Sequence, residues 1–227
     1  MPIGEKELLF LKGTLPFWGK LTEAQRGLIG RNAVVRSFRA GSMLHSGPDD
    51  CSGLYVITGG QVRSYILSES GREVTLFRLF ERDVCIFSAS CVMKDIRFDV
   101  QTQAVENTST ILIPTPVFKE LNESSIAVAD YTNRLLSSRF SDVMWLLQQI
   151  LFMSFDRRLA IFLLEHVDAG GKLNATHEEI AGDMASAREV VTRMLRYFQS
   201  EGIVRLSRGR IQVTNMKKLK KLAGQAE

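Results

Sequence analysis

The chain has 227 residues, 45% of them hydrophobic and 24% charged, with a net charge of +4, so it can bury one large core or two modest ones. No apolar run approaches the roughly 18–20 residues that cross a bilayer, and Met1 to Leu11 lacks the basic start and long apolar core of a signal peptide, so no membrane association is expected and the cytoplasm is. Three cysteines, Cys51, Cys85 and Cys91, without Cys-x-x-Cys spacing imply neither a disulfide scaffold nor a zinc knuckle.

From about Ala33 to Ile113 the chain breaks into short β-prone runs separated by turn residues. Ser52–Ile57, Gln61–Leu67 and Glu73–Phe80 are joined by Gly59-Gly60 and by Ser68–Gly71, which describes a meander. Arg97–Val105 and Thr110–Ile113 bring the number to seven or eight, enough for a small antiparallel barrel or jelly roll that surrounds a ligand cavity.

Pro114 and Pro116 close the last strand, and a long helix follows over about Ser124 to Phe152. Ala129, Asn133, Leu136, Phe140, Val143, Leu147 and Ile150 alternate spacings of four and three, the repeat of a coiled-coil seam. Asn133 falls at an a position, where a buried amide pairs with its copy and fixes a parallel homodimer. A second apolar face (Val128, Leu135, Met144, Leu146, Leu151) is expected to pack on the barrel. Ser154-Phe155-Asp156 interrupts the pattern as a hinge, and Arg157–Val167 forms a new amphipathic helix ended by Asp168–Gly171. The expected organisation is therefore α+β, with a barrel or jelly roll over residues 1–123, a dimerisation helix over 124–153 and a third segment over 154–227.

That third segment begins with two capped helices. Thr176 and Glu179 form one capping box ahead of Ile180, Ala181 and Met184; Ser186 and Glu189 form a second ahead of Val190, Val191, Met194, Leu195 and Phe198. Helices so close in sequence cross steeply, bury their apolar faces and leave Arg188, Glu189, Thr192, Arg193 and Arg196 outward. Two β-prone runs, Gly202–Leu206 and Arg210–Thr214, flank an Arg208-Gly209 turn, which completes a winged helix-turn-helix. From Lys172 onward eleven Lys/Arg face six Asp/Glu, a balance of +5, while the preceding residues hold eighteen against nineteen, a balance of −1. Concentrated positive charge of this kind suits phosphate contacts on double-stranded DNA. Near the front of the second helix, arginines can pair with guanine and a carboxylate with cytosine N4. Taken singly, Glu189 also reads as a capping-box partner, and Arg188 and Arg193 as solvated helix residues. Thr176, Ser186, Thr192 and Arg208 join Arg188, Glu189 and Arg193 as expected DNA contacts.

Barrel, long helix, hinge and winged helix-turn-helix in this order resemble the CRP/FNR regulators, the bacterial family that includes the catabolite activator protein and the fumarate–nitrate reduction regulator. The resemblance is most specific at Ser186 to Leu195, where Arg188-Glu189 followed by Arg193 is similar to the recognition triplet of the catabolite activator branch. It implies a dimer on a pseudo-palindrome of TGTGA-like half-sites, allosteric control by a small effector in the barrel, a contact with RNA polymerase if the protein activates, and a structural role for Arg158.

The sensor half departs from the nucleotide-binding pattern. Alignment on Asp83 and on the Ala104–Ile113 strand puts Phe87 where cyclic-nucleotide members have a ribose-binding glutamate, and Phe98-Asp99 where they have a phosphate-binding pair. A phosphodiester there would lose charge-assisted bonds worth on the order of several kcal/mol, which disfavours cyclic AMP. Val143 and Met144 replace the polar pair that the family's long helix offers to the purine. The effector pocket is thus expected near Phe87, Phe98, Val143, Met144, Cys85 and Cys91, with an unidentified apolar or aromatic ligand. Residues 1–38 contain no cysteine, which disfavours an iron–sulfur cluster, and His45 alone is too little for haem. Alternatives are a redox or metal sensor using Cys85 and Cys91, and a regulatory subunit acting on a protein partner. No catalytic constellation is visible: His177-Glu178-Glu179 lacks the second histidine of a zinc-protease helix, and there is no glycine-rich phosphate loop.

Overall fold

The computed structural model describes residues 3–47, 50–69, 71–92 and 99–224. Its contacts fall into two units, Met1–Leu67 with Leu76–Val143, and Ser68–Thr75 with Met144–Glu227.

The first unit is organised around β3 (Gly53–Gly59) and β8 (Thr108–Pro114), paired antiparallel with Leu54 opposite Ile113 and Val56 opposite Ile111. Both strands are buried on both faces, which explains their unbroken apolar runs. Leu54, Val56, Ile111 and Ile113 point to a core shared with helices, whereas Tyr55, Ile57 and Leu112 point to a core shared with the opposite sheet. One sheet runs β1 (Val34–Phe38), β8, β3, β6 (Val84–Cys85); the other runs β2 (Met43–Ser46), β7 (Gln101–Ala104), β4 (Val62–Leu67), β5 (Glu73–Leu79). Of the two architectures that the strand count allowed, the molecule takes the two-sheet jelly roll rather than a closed barrel. Leu44, Val62, Leu79 and Ala104 fill the space between the sheets.

The outer face of the first sheet is covered by helices that strand-and-turn reasoning did not anticipate. Helix α1 (Glu5–Thr14) and α2 (Glu23–Asn32) contribute Leu11 and Ile29 to the core, and α2 starts from a Thr22–Gln25 capping box. Helix α3 (Thr115–Ser124) follows β8 directly, with Pro116 in its first turn, so the prolines that end the strand also begin a helix. Ser125, extended at φ −130° and ψ 110°, separates α3 from the long α4 (Ile126–Phe152). Helix α4 packs into this core through Val128, Tyr131, Leu135 and Leu136; Tyr131 meets Phe17 edge-on at 5.2 Å, and Arg139 lies 4.7 Å over the Phe77 ring.

In the second unit α5 (Phe155–His166) begins at the extended Ser154 and is followed by β9 (Lys172–Leu173), α6 (His177–Asp183), α7 (Arg188–Ser200), β10 (Val204–Ser207), β11 (Arg210–Val213) and α8 (Met216–Leu222). Val191, Leu195 and Phe198, at the helical spacing of one face of α7, bury against Leu159 and Leu163 of α5, Ile180 of α6 and Leu219 of α8. Each such side chain contributes about 1.5–3 kcal/mol relative to exposure. The three strands order β10-β11-β9, and Ser207 pairs with Arg210 across the two-residue Arg208-Gly209 loop, where Gly209 supplies φ +67°.

One glycine of the jelly roll is fixed by close approach. Gly53 has φ +136°, and a Cβ there would lie 2.2 Å from the carbonyl oxygen of Ile113. Gly53→Ala is expected to lower the unfolding free energy of the chain by at least about 2 kcal/mol in urea titration, whereas an alanine at the open Gly19 changes it by less than about 1 kcal/mol.

Candidate nucleic-acid interface

Helix α6 is capped as its sequence dictates: Thr176 Oγ1 accepts from Glu179 N at 3.2 Å, and Glu179 Oε2 accepts from Thr176 N at 2.7 Å. The second capping box does not form. Ala185 takes a left-handed φ of +50°, Ser186 N donates back to Ala181 O at 2.9 Å, and the N-cap passes to Ala187, which makes no side-chain cap bond. Helix α7 therefore starts at Arg188. Glu189 is released from the capping role and is exposed on the same helix as Arg188, Arg193 and Arg196. These residues surround a shallow depression of about 500 Å3 whose wall also includes Thr192.

The turn between α6 and α7 is held from below by Arg158 of α5. Its side chain is buried, its guanidinium donates through Nη2 to the carbonyl of Met184, and the ring of Phe155 lies 5.6 Å from its Cζ. Burial pulls its pKa below the ordinary arginine value. The Met184 carbonyl ends α6, so a cation here meets the negative end of the helix as well as an acceptor.

A groove of about 560 Å3 runs between the start of α6, Arg188 and the wing, with Arg208 and Arg210 on its wing side. Arg210 Nε donates to Asn174 Oδ1 at 3.2 Å, which ties the wing to the segment before α6. His177 lines this groove, and its Nδ1 is hydrogen-bonded to Thr192 Oγ1 at 2.8 Å. Thr192 is thus occupied within the motif as well as placed at its surface. Burial lowers the pKa of His177, and the charges of Arg188 and Arg196 lower it further. In the sequence His177 signals nothing beyond the missing second histidine of a zinc-protease helix, because the spacing from His177 to Thr192 carries no meaning until the two helices cross.

The expected effector residues are less coherent as a group. Phe87 is buried in the helix-facing core and stacks on Phe77 at 5.7 Å. Cys85 is a free thiol buried between the sheets, 3.9 Å from Thr102 Oγ1, and the side chain of Cys91, its expected redox partner, lies outside the described residues. Cys51 is disulfide-bonded, a link that the cysteine spacing does not imply. Among the described residues no cluster of three or more potential metal ligands occurs. Phe98 lies outside the described residues. Val143 is half-buried and Met144 is 45% exposed. His45 is buried and its Nδ1 is 2.5 Å from the carbonyl of Asp50, which commits that nitrogen as a donor.

On α4, the residues expected at a dimer seam are uneven in exposure. Asn133 is exposed, Leu136 is partly buried in the core, Phe140 is 67% exposed and Leu147 44%. Met144 and Leu151, expected on the face of α4 that packs on the barrel, are exposed instead and continue the stripe of Phe140 and Leu147 at spacings of four and three. No described helix is long and apolar enough to cross a membrane.

A jelly roll joined through a long helix to a winged helix-turn-helix defines a class, the DNA-binding transcription regulators with a cyclic-nucleotide-binding-type domain. Residues 35–125 match the cyclic nucleotide-binding domain and residues 157–222 the Crp-like helix-turn-helix domain. A solved CRP/FNR-family regulator of Eubacterium rectale, described as putative, is 47% identical, with 93% of this chain and 99% of that one covered at a TM-score of 0.89. The Anaerobic regulatory protein of Aggregatibacter actinomycetemcomitans is 27% identical over 80% of this chain and 73% of its own length. The Cyclic AMP receptor protein of Thermus thermophilus is 27% identical over 75% of this chain and 79% of its own. The chain belongs to the CRP/FNR family of transcription regulators.

Replacing Arg158 by alanine leaves the Met184 carbonyl without its charged donor. The second unit is expected to lose about 2–3 kcal/mol in chemical denaturation, with Arg158→Lys recovering part of it.

Proposed function

We propose that this protein is a homodimeric, sequence-specific transcription regulator of the cytoplasm that binds a pseudo-palindrome of TGTGA-like half-sites under the control of a small effector. The observation that carries the reading is the outer face of α7: Arg188, Glu189 and Arg193 are exposed together on a helix whose other face is buried, beside a wing that carries Arg208. In this reading Arg188 and Arg193 donate to guanine O6 and N7, Glu189 accepts from cytosine N4, and Thr176, Ser186, Thr192 and Arg208 contact or orient the backbone.

The apolar stripe of α4 supports dimerisation, with Phe140 and Leu147 of the expected seam joined by Met144 and Leu151. Phe140, Met144, Leu147 and Leu151 present large side chains to solvent at a 3.5-residue repeat, and a second copy of the same helix covers them in register. Two recognition helices about 34 Å apart then meet successive major grooves. The effector acts near Phe87, Val143 and Met144. Phe87 stacks on Phe77, and Phe77 carries Arg139 of α4, so a ligand that moves Phe87 bears directly on the dimer helix. If the protein activates, it also contacts RNA polymerase. Cyclic AMP does not suit the Phe87 site.

Selection from a random duplex pool at near-physiological salt, with and without cell extract as effector source, should recover a pseudo-palindrome; recovery of no motif in either arm sinks the reading. Arg193→Ala should reduce discrimination of the half-site by about 10- to 100-fold in competition binding while the dimer persists in sedimentation. Phe140→Asp with Leu147→Asp should sediment as a monomer and bind the palindrome only weakly, and a dimer retained by this double variant would remove the seam.

A further inference from the structure

Among the DNA-facing residues, His177 combines three properties. It lines the groove between α6, α7 and the wing; its Nδ1 is fixed by the Thr192 hydroxyl at 2.8 Å; and Nε2, its other ring nitrogen, has no partner among the described residues. Its charged surroundings are unbalanced. Arg188 and Arg196 of α7 both act on it, the wing places Arg208 and Arg210 on the same groove, and Glu178 is the one acidic side chain on the groove wall among the described residues.

We propose that His177 is a DNA-backbone contact whose engagement is proton-coupled, so that each half-site takes up one proton when the protein binds duplex DNA. In the free protein a proton on the ring adds positive charge to a partly buried site that already faces arginines, and the ring stays neutral near pH 7. A phosphate seated in the groove reverses that balance: it neutralises the arginines and favours the charged ring, in which Nε2–H donates to the phosphate and the added proton sits on Nδ1, which then donates to the Thr192 hydroxyl oxygen. Thr192 holds the ring so that Nε2 is the nitrogen available, which makes Thr192 a positioning residue of the same contact. This inference rests on the DNA-binding reading and adds to it a dependence on pH that the arginines alone do not supply.

The sign follows from linkage. The ring's pKa is higher in the complex than in the free protein, so affinity is gained as pH falls through the bound value and approaches its maximum below the free value, which lies under the ordinary histidine value of about 6.5. Because the contact is to phosphate, the dependence appears on any duplex and not only on the cognate one.

The test is binding of a duplex with two TGTGA-like half-sites, and of a scrambled duplex of equal length, by fluorescence anisotropy from pH 8.0 to 5.5 at constant ionic strength. The wild-type protein is expected to gain about tenfold or more in affinity between pH 8 and pH 6 on both duplexes. His177→Gln should flatten the profile while retaining weaker binding. His177→Arg, with a permanent charge, should bind at pH 8 about as tightly as the wild type does at pH 6. Calorimetry in two buffers of different ionisation enthalpy should register proton uptake for the wild type and none for His177→Gln. A flat wild-type profile, or a slope that survives in His177→Gln, overturns the proposal and leaves the recognition-helix reading standing. Absence of binding to either duplex at every pH overturns both.

Discussion

A buried guanidinium beneath the helix-turn-helix is the constraint on which the rest of the second unit depends. Arg158 has lost most of its water, and its compensation is the carbonyl of Met184 at the negative end of α6. That bond requires α5 to lie under the α6–α7 turn, and the turn in turn requires Ala185 in the left-handed region and Ser186 N bonded to Ala181 O. The path of the chain through these residues sets where α7 begins. Since α7 begins at Arg188 and not one residue earlier, its first turn presents Arg188 and Glu189 outward with no capping duty for Glu189.

The same economy of placement links His177 to Thr192. A surface threonine on a recognition helix is an ordinary hydrogen-bonding side chain. With its hydroxyl bonded to an imidazole from the neighbouring helix, it orients a titratable group within a groove bordered by arginines. Electrostatics of the interface is therefore more than the sum of basic residues after Lys172: the arginines supply attraction, while burial first, and the charges of Arg188 and Arg196 after it, lower the proton affinity of one imidazole among them.

In the first unit the comparable role belongs to burial on both faces of β3 and β8. Alternate residues of each strand serve two cores, one between the sheets and one beneath the helices, so the sheet cannot slip by one residue without exchanging the two sets. Helix α4 joins the helical core at Val128 and Tyr131, and further along leaves Phe140, Met144, Leu147 and Leu151 to solvent. The proposed dimer uses this division, with one end of the helix committed to its own core and the uncovered apolar stripe beyond it left for a partner.

What the residues determined by themselves was local. The Thr176–Glu179 box, the Arg208-Gly209 loop, the break at Ser154 and the short β-prone runs are readable because each depends on neighbours within a few positions, where capping, turn geometry and side-chain period operate. Helices α1 and α2 escaped that reading because their apolar faces are narrow and interrupted by charge and glycine, and only the sheet surface they cover makes them stable. Tertiary structure alone decided the rest. Ser186 and Glu189 have the letters of a cap, but the turn held by Arg158 carries the chain past it; the stacking of Phe87 on Phe77, ten residues away, and the burial of Cys85 between the sheets are likewise set by packing. Pairings such as His177 with Thr192 join residues fifteen apart through the crossing of two helices, and the physical reason they were hidden is that a crossing angle is set by the whole buried interface and leaves no periodic trace in the sequence of either helix.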